Sequence, residues 1–254
     1  MKFDVLDTQM RVFETSSDQR VLPDMFMVAR LDGRSFTRLT KRVCQFETPF
    51  DPRFRDMMVA TAKSLMHCGF NVVYAYTESD EISLLLDRRE TLFDRKLRKI
   101  NSILAGEASA TFSISLGQPA AFDCRVSQLP NCERVVDYFR WRGADAFRNA
   151  LNAHCYWALR KAGWSARRAT SELANKTRSE KHELLFQRFG MNFNDVPAWQ
   201  KRGVGLTWST YEKPCVNQKT GERATAVRRR IEVLEELPIR EAYSEFVRGL
   251  VGES

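Results

Sequence analysis

Six cysteines include no CxxC pair, and the three histidines, His67, His154 and His182, are scattered. No zinc-ligand spacing appears, so the cysteines are expected as reduced, buried thiols. No apolar run approaches the length that spans a bilayer, which leaves no membrane partner. The opening MKFDVLDTQM carries acids and lacks the apolar stretch of a signal peptide, so the expected location is cytoplasmic. GxxxxGK[ST] and GxGxxG are both missing, and P-loop and Rossmann sites lose their support with them. There are no internal repeats and no low-complexity linker.

What is present is a basic, core-forming chain. In 254 residues, 40 Lys and Arg oppose 32 Asp and Glu, a net +8 that favours a polyanionic partner. The excess is local: Arg160 to Arg230 holds sixteen basic and six acidic residues. Apolar residues make up 43% of the chain, enough for one large domain or two modest ones.

The first half alternates short apolar runs with helical patterns. MFMVARL (25–31) reads as a buried strand that runs into DGR. FDPRFRDMMVATAKSLMHCG reads as a helix with Asp51 as its cap, Pro52 in its first turn and Gly69 past its end. NVVYAYT (71–77) and EISLLL (81–86) flank ESD as a tight hairpin. A helix over 92–112 and a strand near 122–126 complete the order β-α-β-β-α-β. That is an α+β, ferredoxin-like antiparallel sheet, expected over residues 1–130. Residues 131–254 read as a mainly helical, basic part packed on it. It has a long helix interrupted at Gly143, helices near 165–174 and 178–189, a turn at NQKTGE, a short strand region and a closing helix after Pro238.

Asp80 and Glu81 stand side by side at the hairpin, and Asp32 ends the first strand. In this topology those strands are neighbours, so Asp32 and Asp80 arrive at one end of the sheet. Two converging carboxylates repel unless a cation lies between them, and hard oxygen ligands suit Mg²⁺. The pattern fits a two-ion polymerase site, with Asp32 and Asp80 as ligands and Glu81 as a supporting or alternative one. Gly33 lets the backbone approach phosphate, and its carbonyl is a further metal ligand. Arg34, Ser35, Phe36 and Thr37 follow at a helix start, where free amides suit phosphate. Arg95, Lys96 and Lys99, about one helical turn apart, are placed to clasp a triphosphate, although a solvated helix face explains them as well. His154 among aromatics reads as a core residue.

RLDGRSF, AYTESDEISLLL, FDCRV, DYFRWRGAD, KHELLF and RFGMNFNDVP resemble, in order and spacing, the tRNA-histidine guanylyltransferases and their guanylyltransferase-like relatives. The resemblance runs from Met25 to Trp208. It implies a polymerase-like palm and 3′–5′ nucleotide addition to the 5′ end of tRNA, with two Mg²⁺ ions, GTP or another NTP as substrate, and ATP for 5′ activation. Metal ligands would be Asp32, Gly33 and Asp80. Nucleotide contacts would be Arg34, Ser35, Phe36, Thr37 and Ser79, with triphosphate contacts at Arg95, Lys96 and Lys99. Lys181 and Asn194 match further family positions, and a homo-oligomer, dimer or tetramer, is implied.

One departure points within the family. Where the tRNA-histidine enzymes carry HINNLYN, this chain has FRNALNA (147–153), with Phe147 in place of histidine, and Thr37 replaces a second histidine. The expectation is therefore the guanylyltransferase-like branch and template-directed repair of truncated tRNA. The alternatives are true guanylyltransferase activity, a non-catalytic RNA-binding palm, and a nucleotide cyclase.

Overall fold

The computed structural model describes residues 2–216 and 223–252, so the expected NQKTGE turn lies outside the described residues. Its elements begin with α1 (Phe3–Thr15), β1 (Phe26–Gly33), the short α2 (Phe36–Arg38), α3 (Pro52–Leu65), β2 (Val72–Glu78) and β3 (Glu81–Leu86). They continue with α4 (Leu97–Leu116), β4 (Phe122–Leu129), α5 (Cys132–Lys161), α6 (Ala166–Ala174) and α7 (Arg178–Phe189). The chain closes with α8 (Ala198–Arg202), β5 (Val204–Val216), β6 (Arg223–Leu234) and α9 (Glu241–Gly252).

The strands order as β4-β1-β3-β2-β5-β6, with each neighbouring pair antiparallel. The first four form the expected palm. The later strands are longer than a short strand region: β5 and β6 carry 13 and 12 residues and extend the same sheet. Among the described residues β5 pairs with β2 over Val204–Thr207, and beyond that β5 and β6 pair with each other.

Both faces of the sheet are covered, which is why its strands read as continuous apolar runs. From β1, Met27, Ala29 and Leu31 pack with Met58 and Leu65 of α3 and Leu104 of α4. Phe26 and Val28 point the other way, into Val136 and Phe139 of α5 and Val247 of α9. α3 starts as its sequence predicts, with Asp51 Oδ1 accepting the Arg53 amide at 2.8 Å and Pro52 in the first turn. His154 is a core residue, its Nε2 lying 3.0 Å from Gln200 Oε1.

Two helices depart from the pattern. α4 begins at Leu97, not at 92, because Phe93, Asp94 and Arg95 adopt left-handed backbone with φ of 53°, 53° and 56°. α5 runs unbroken for 30 residues through Gly143. A mid-helix glycine costs only about 1 kcal/mol, which the packing of α5 on the sheet outweighs.

Candidate active site

Pairing of β1 with β3 places Asp32 opposite Glu81. The Gly33 amide donates to the Asp80 carbonyl at 3.0 Å, tying the strand end to the hairpin turn. Within that turn Ser79 is left-handed, φ 48°, and its hydroxyl donates to Asp80 Oδ1 at 3.1 Å. Burial raises the Asp80 carboxyl above its ordinary range, and the charge of nearby Asp32 adds to the shift. The structure gives Gly33 a reason the sequence does not show. Its backbone is not left-handed, but a Cβ there would lie 2.5 Å from the Phe36 ring. That ring is fixed in the core by Phe112 and Phe122, at centroid distances of 5.1 and 4.9 Å.

Glu81 shares the α5 side of the sheet with Asp32, where it meets Arg142. This arginine, with a side chain 3% exposed, contacts Glu81, Glu78 at 2.9 Å and Asp145 at 3.2 Å. One cation facing three carboxylates leaves the group over-supplied with negative charge. Burial accordingly lifts the Glu78 carboxyl to about 8 against the pull of Arg142, and it raises Glu81 as well. The charge of Asp32, which faces it across the strands, adds to the rise at Glu81, while Arg142 holds the Glu81 side chain in place.

The hairpin turn opens into a cavity of about 310 Å³. α2 contributes Phe36 and Thr37, the turn Ser79 and Asp80, and α5 Arg142 and Asn149. Among the described residues no cluster of three His, Cys, Asp or Glu side chains has metal-binding geometry. Mg²⁺ does not require one, since one or two carboxylates complete their shell with water and substrate phosphates. Asp32 and Asp80, both half-buried and with the charge of Asp32 acting on Asp80, fit that ion, and with the Gly33 carbonyl they would hold it.

Of the expected nucleotide contacts, Phe36, Thr37 and Ser79 line the cavity beside Asp80. Arg34 and Ser35 flank it; the Arg34 amide donates to the Ala121 carbonyl at 2.8 Å. Arg95 is a correction. Its guanidinium is buried and donates to the carbonyls of Met25 (2.5 Å), Arg88 (3.0 Å) and Glu90 (3.4 Å), so it braces the segment before α4 and does not line the cavity. Lys96 pairs with Asp18 at 3.2 Å, and Lys99 lies 5.8 Å from the Phe93 ring; neither lines the cavity. Sequence reasoning missed Arg142, Glu78 and Asn149. The available signal was the Arg142–Asp145 spacing of three on a helix, which puts both on one face.

The family model described as tRNAHis guanylyltransferase matches residues 7–130, and that described as the Thg1 C terminal domain matches 133–243. The tRNA(His) guanylyltransferase of Debaryomyces hansenii is 33% identical over 198 residues, 73% of this chain and 74% of that protein. A probable tRNA(His) guanylyltransferase of Dictyostelium discoideum is 33% identical over 213 residues, 79% of this chain and 81% of that one. Among solved structures, a bacterial tRNA(His) guanylyltransferase-like protein in complex with ATP superposes with a TM-score of 0.78 at 27% identity, covering 97% of this chain and 98% of that one. The Saccharomyces cerevisiae tRNA(His) guanylyltransferase gives 0.71 at 28% identity over 77% of this chain and 91% of that one. With its palm and its C-terminal part both matched, the chain belongs to the tRNA(His) guanylyltransferase family of nucleotidyltransferases.

Proposed function

We propose that this nucleotidyltransferase is a Mg²⁺-dependent 3′–5′ enzyme that adds template-directed nucleotides to the 5′ end of truncated tRNA. The observation that carries the reading is the junction of β1 with the hairpin turn, where Asp32 faces Glu81 and the Gly33 amide bonds to Asp80, beside the cavity walled by Phe36, Thr37, Ser79 and Asn149. ATP in the bacterial relative, and GTP in a second structure of such a protein, support nucleotide substrates. The 3′-hydroxyl of the incoming NTP attacks a tRNA 5′ phosphate that is adenylylated by ATP or already a triphosphate. A phosphodiester forms, and AMP or pyrophosphate leaves.

In this reading Asp32, Asp80 and the Gly33 carbonyl would hold Mg²⁺, which would supply the positive charge that lowers the pKa of that hydroxyl and offsets charge on the leaving group. Thr37, Ser79 and Asn149 orient the nucleotide through hydroxyl and amide groups, while the Phe36 ring closes the apolar side. Arg142 fixes the hairpin from behind. Lys96 and Lys99, which do not line this cavity, are left out of the triphosphate contacts together with Arg95. The basic C-terminal half holds the tRNA backbone. Cytoplasmic location and a homo-oligomer, dimer or tetramer, belong to the same reading. α1 supports the oligomer: it buries none of its residues and exposes Phe3, Leu6, Met10 and Phe13 to a second copy.

True guanylyltransferase activity, one G added at position −1, has its own support in the names of the sequence relatives. Against it, position 147 holds a phenylalanine packed on Phe193 at 5.4 Å, under the Arg178 guanidinium at 4.2 Å and beside the His182 ring, and this side chain offers none of a histidine's hydrogen bonds. The deciding experiment offers ATP, GTP, all NTPs and Mg²⁺ with two labelled tRNAs, one lacking its first nucleotide and one a full-length tRNA-histidine. Filling of the missing, template-paired nucleotide is expected. A single G added only to tRNA-histidine overturns the repair reading, and extension of neither overturns the polymerase reading.

A further inference from the structure

α5 lines a second cavity on a different face. Arg142, Ala146, Asn149 and Ala153 border the carboxylate cavity, whereas Arg140, Gly143, Ala144 and Phe147, at i, i+3, i+4 and i+7, border one of about 210 Å³. Its far wall is Arg202 at the end of α8, the connection Leu237–Arg240 and Tyr243 of α9. The floor is apolar, and no acidic residue lines it.

Three guanidinium groups, those of Arg140, Arg202 and Arg240, surround this floor. Among the described residues none makes an ion pair, a side-chain hydrogen bond or a ring contact, and Arg202 Nε is buried without an acceptor. Arg142 and Arg95 also leave Nε without an acceptor, but their terminal nitrogens are held by three carboxylates and by three carbonyls, whereas those of the half-buried Arg202 are held by neither. A donor buried without a partner is destabilising unless a ligand supplies the acceptor.

An anion with a flat apolar body meets both features. Phosphate oxygens satisfy guanidinium forks, and a nucleobase covers Leu237, Ile239 and the Phe147 and Tyr243 rings. We propose that this cavity binds an unpaired nucleotide of the RNA substrate at a position away from its 5′ end. A free NTP suits it less, because such a nucleotide arrives with Mg²⁺ and no carboxylate lines the wall to receive the ion. The inference rests on the RNA reading above and adds a second point of contact, separated from the transfer site by the width of α5.

The test uses the Arg140→Gln, Arg240→Gln double variant, whose side chains are exposed and make no internal contact, and separately Arg202→Gln. Each is titrated with 5′-truncated tRNA, with a single-stranded oligoribonucleotide, and with ATP or GTP alone. For the double variant the RNA dissociation constants are expected to rise about tenfold, with the log–log salt slope smaller by about 0.7–0.9 per lost phosphate contact. Nucleotide KM should stay within about twofold. RNA affinity changed by less than about twofold in folded variants overturns the proposal. Loss confined to ATP or GTP overturns it as well, by assigning the cavity to a free nucleotide. Asp80→Ala separates the two claims, since it should abolish transfer and leave RNA binding intact. If the arginine variants lose RNA while wild type transfers nothing, the cavity stands and the enzymatic reading falls.

Discussion

α5 divides two cavities of opposite character. On one side the wall holds Glu47, Asp51, Glu78, Asp80 and Glu81 against Lys41, Arg55 and the buried Arg142; on the other it holds Arg140, Arg202 and Arg240 and no acid. The first gathers more carboxyl groups than cations, a donor set that suits a divalent ion. The second gathers donors without acceptors, the condition that favours phosphate. In the two readings proposed above, one helix serves a site for reaction and a site for grip, because residues one position apart on it point about 100° apart.

The comparison breaks first at Asp80. Asp80→Ala removes one of the two carboxylates that converge on the transfer site, and single-turnover nucleotide addition should fall by about 10³-fold or more. RNA affinity should hold, since the arginine cavity is untouched. A variant that keeps near-wild-type rates would remove Asp80 from the chemistry.

Arg142 comes next. Arg142→Met leaves Glu78, Glu81 and Asp145 facing one another without a counter-charge, a loss of about 3–5 kcal/mol for a broken buried ion pair. Denaturant unfolding checks it, and Arg142→Lys should recover part of the loss. If Arg142→Met unfolds within about 1 kcal/mol of wild type, the three carboxylates are not what the arginine holds.

The carboxylate site was the more legible of the two in the sequence, for a physical reason. Asp32, Gly33, Ser79 and Asp80 sit at strand ends, and strand alternation with antiparallel pairing brings strand ends together without further information. Arg142 lies 61 residues beyond Glu81 on a long helix whose register against the sheet no local pattern specifies. The same holds for Arg202 and Arg240, which reach α5 only through tertiary packing. Arg95 misled because its charge and spacing suit a helix face. Three left-handed residues instead delay α4 to Leu97 and turn the guanidinium into the protein. The glycine of RLDGRSF was read as an approach to phosphate, whereas the contact that demands it is the Phe36 ring. Gly33→Ala should accordingly cost about 1–3 kcal/mol of overpacking, with the loss visible in denaturant unfolding before any ligand is added. A double-mutant cycle with Phe36→Leu should recover part of it, which an effect at a phosphate would not do.

The smallest expected effect sharpens the comparison from the cavity rim. Asp51 caps α3 and accepts the amides of Arg53 and Glu47, each at 2.8 Å, together with the Arg53 guanidinium. The Arg53 side chain, followed by those amides, holds the carboxyl down at about 2, below the roughly 3.9 of an unfolded chain. A depressed carboxyl stabilises the fold above its unfolded pKa, and that contribution disappears as pH falls from about 4 towards about 2. Asp51→Ala should therefore cost about 1 kcal/mol at neutral pH, the usual loss of a helix cap, and the two proteins should converge in stability near pH 2. The carboxylates of this cavity then differ in what they do. Asp51 stays ionised because hydrogen-bond donors surround it and it serves the fold, while Asp80 is pushed upward by burial and is left for a ligand. A gap between wild type and Asp51→Ala that persists undiminished to pH 2 would mean that shape, rather than charge, is what Asp51 gives to the start of α3.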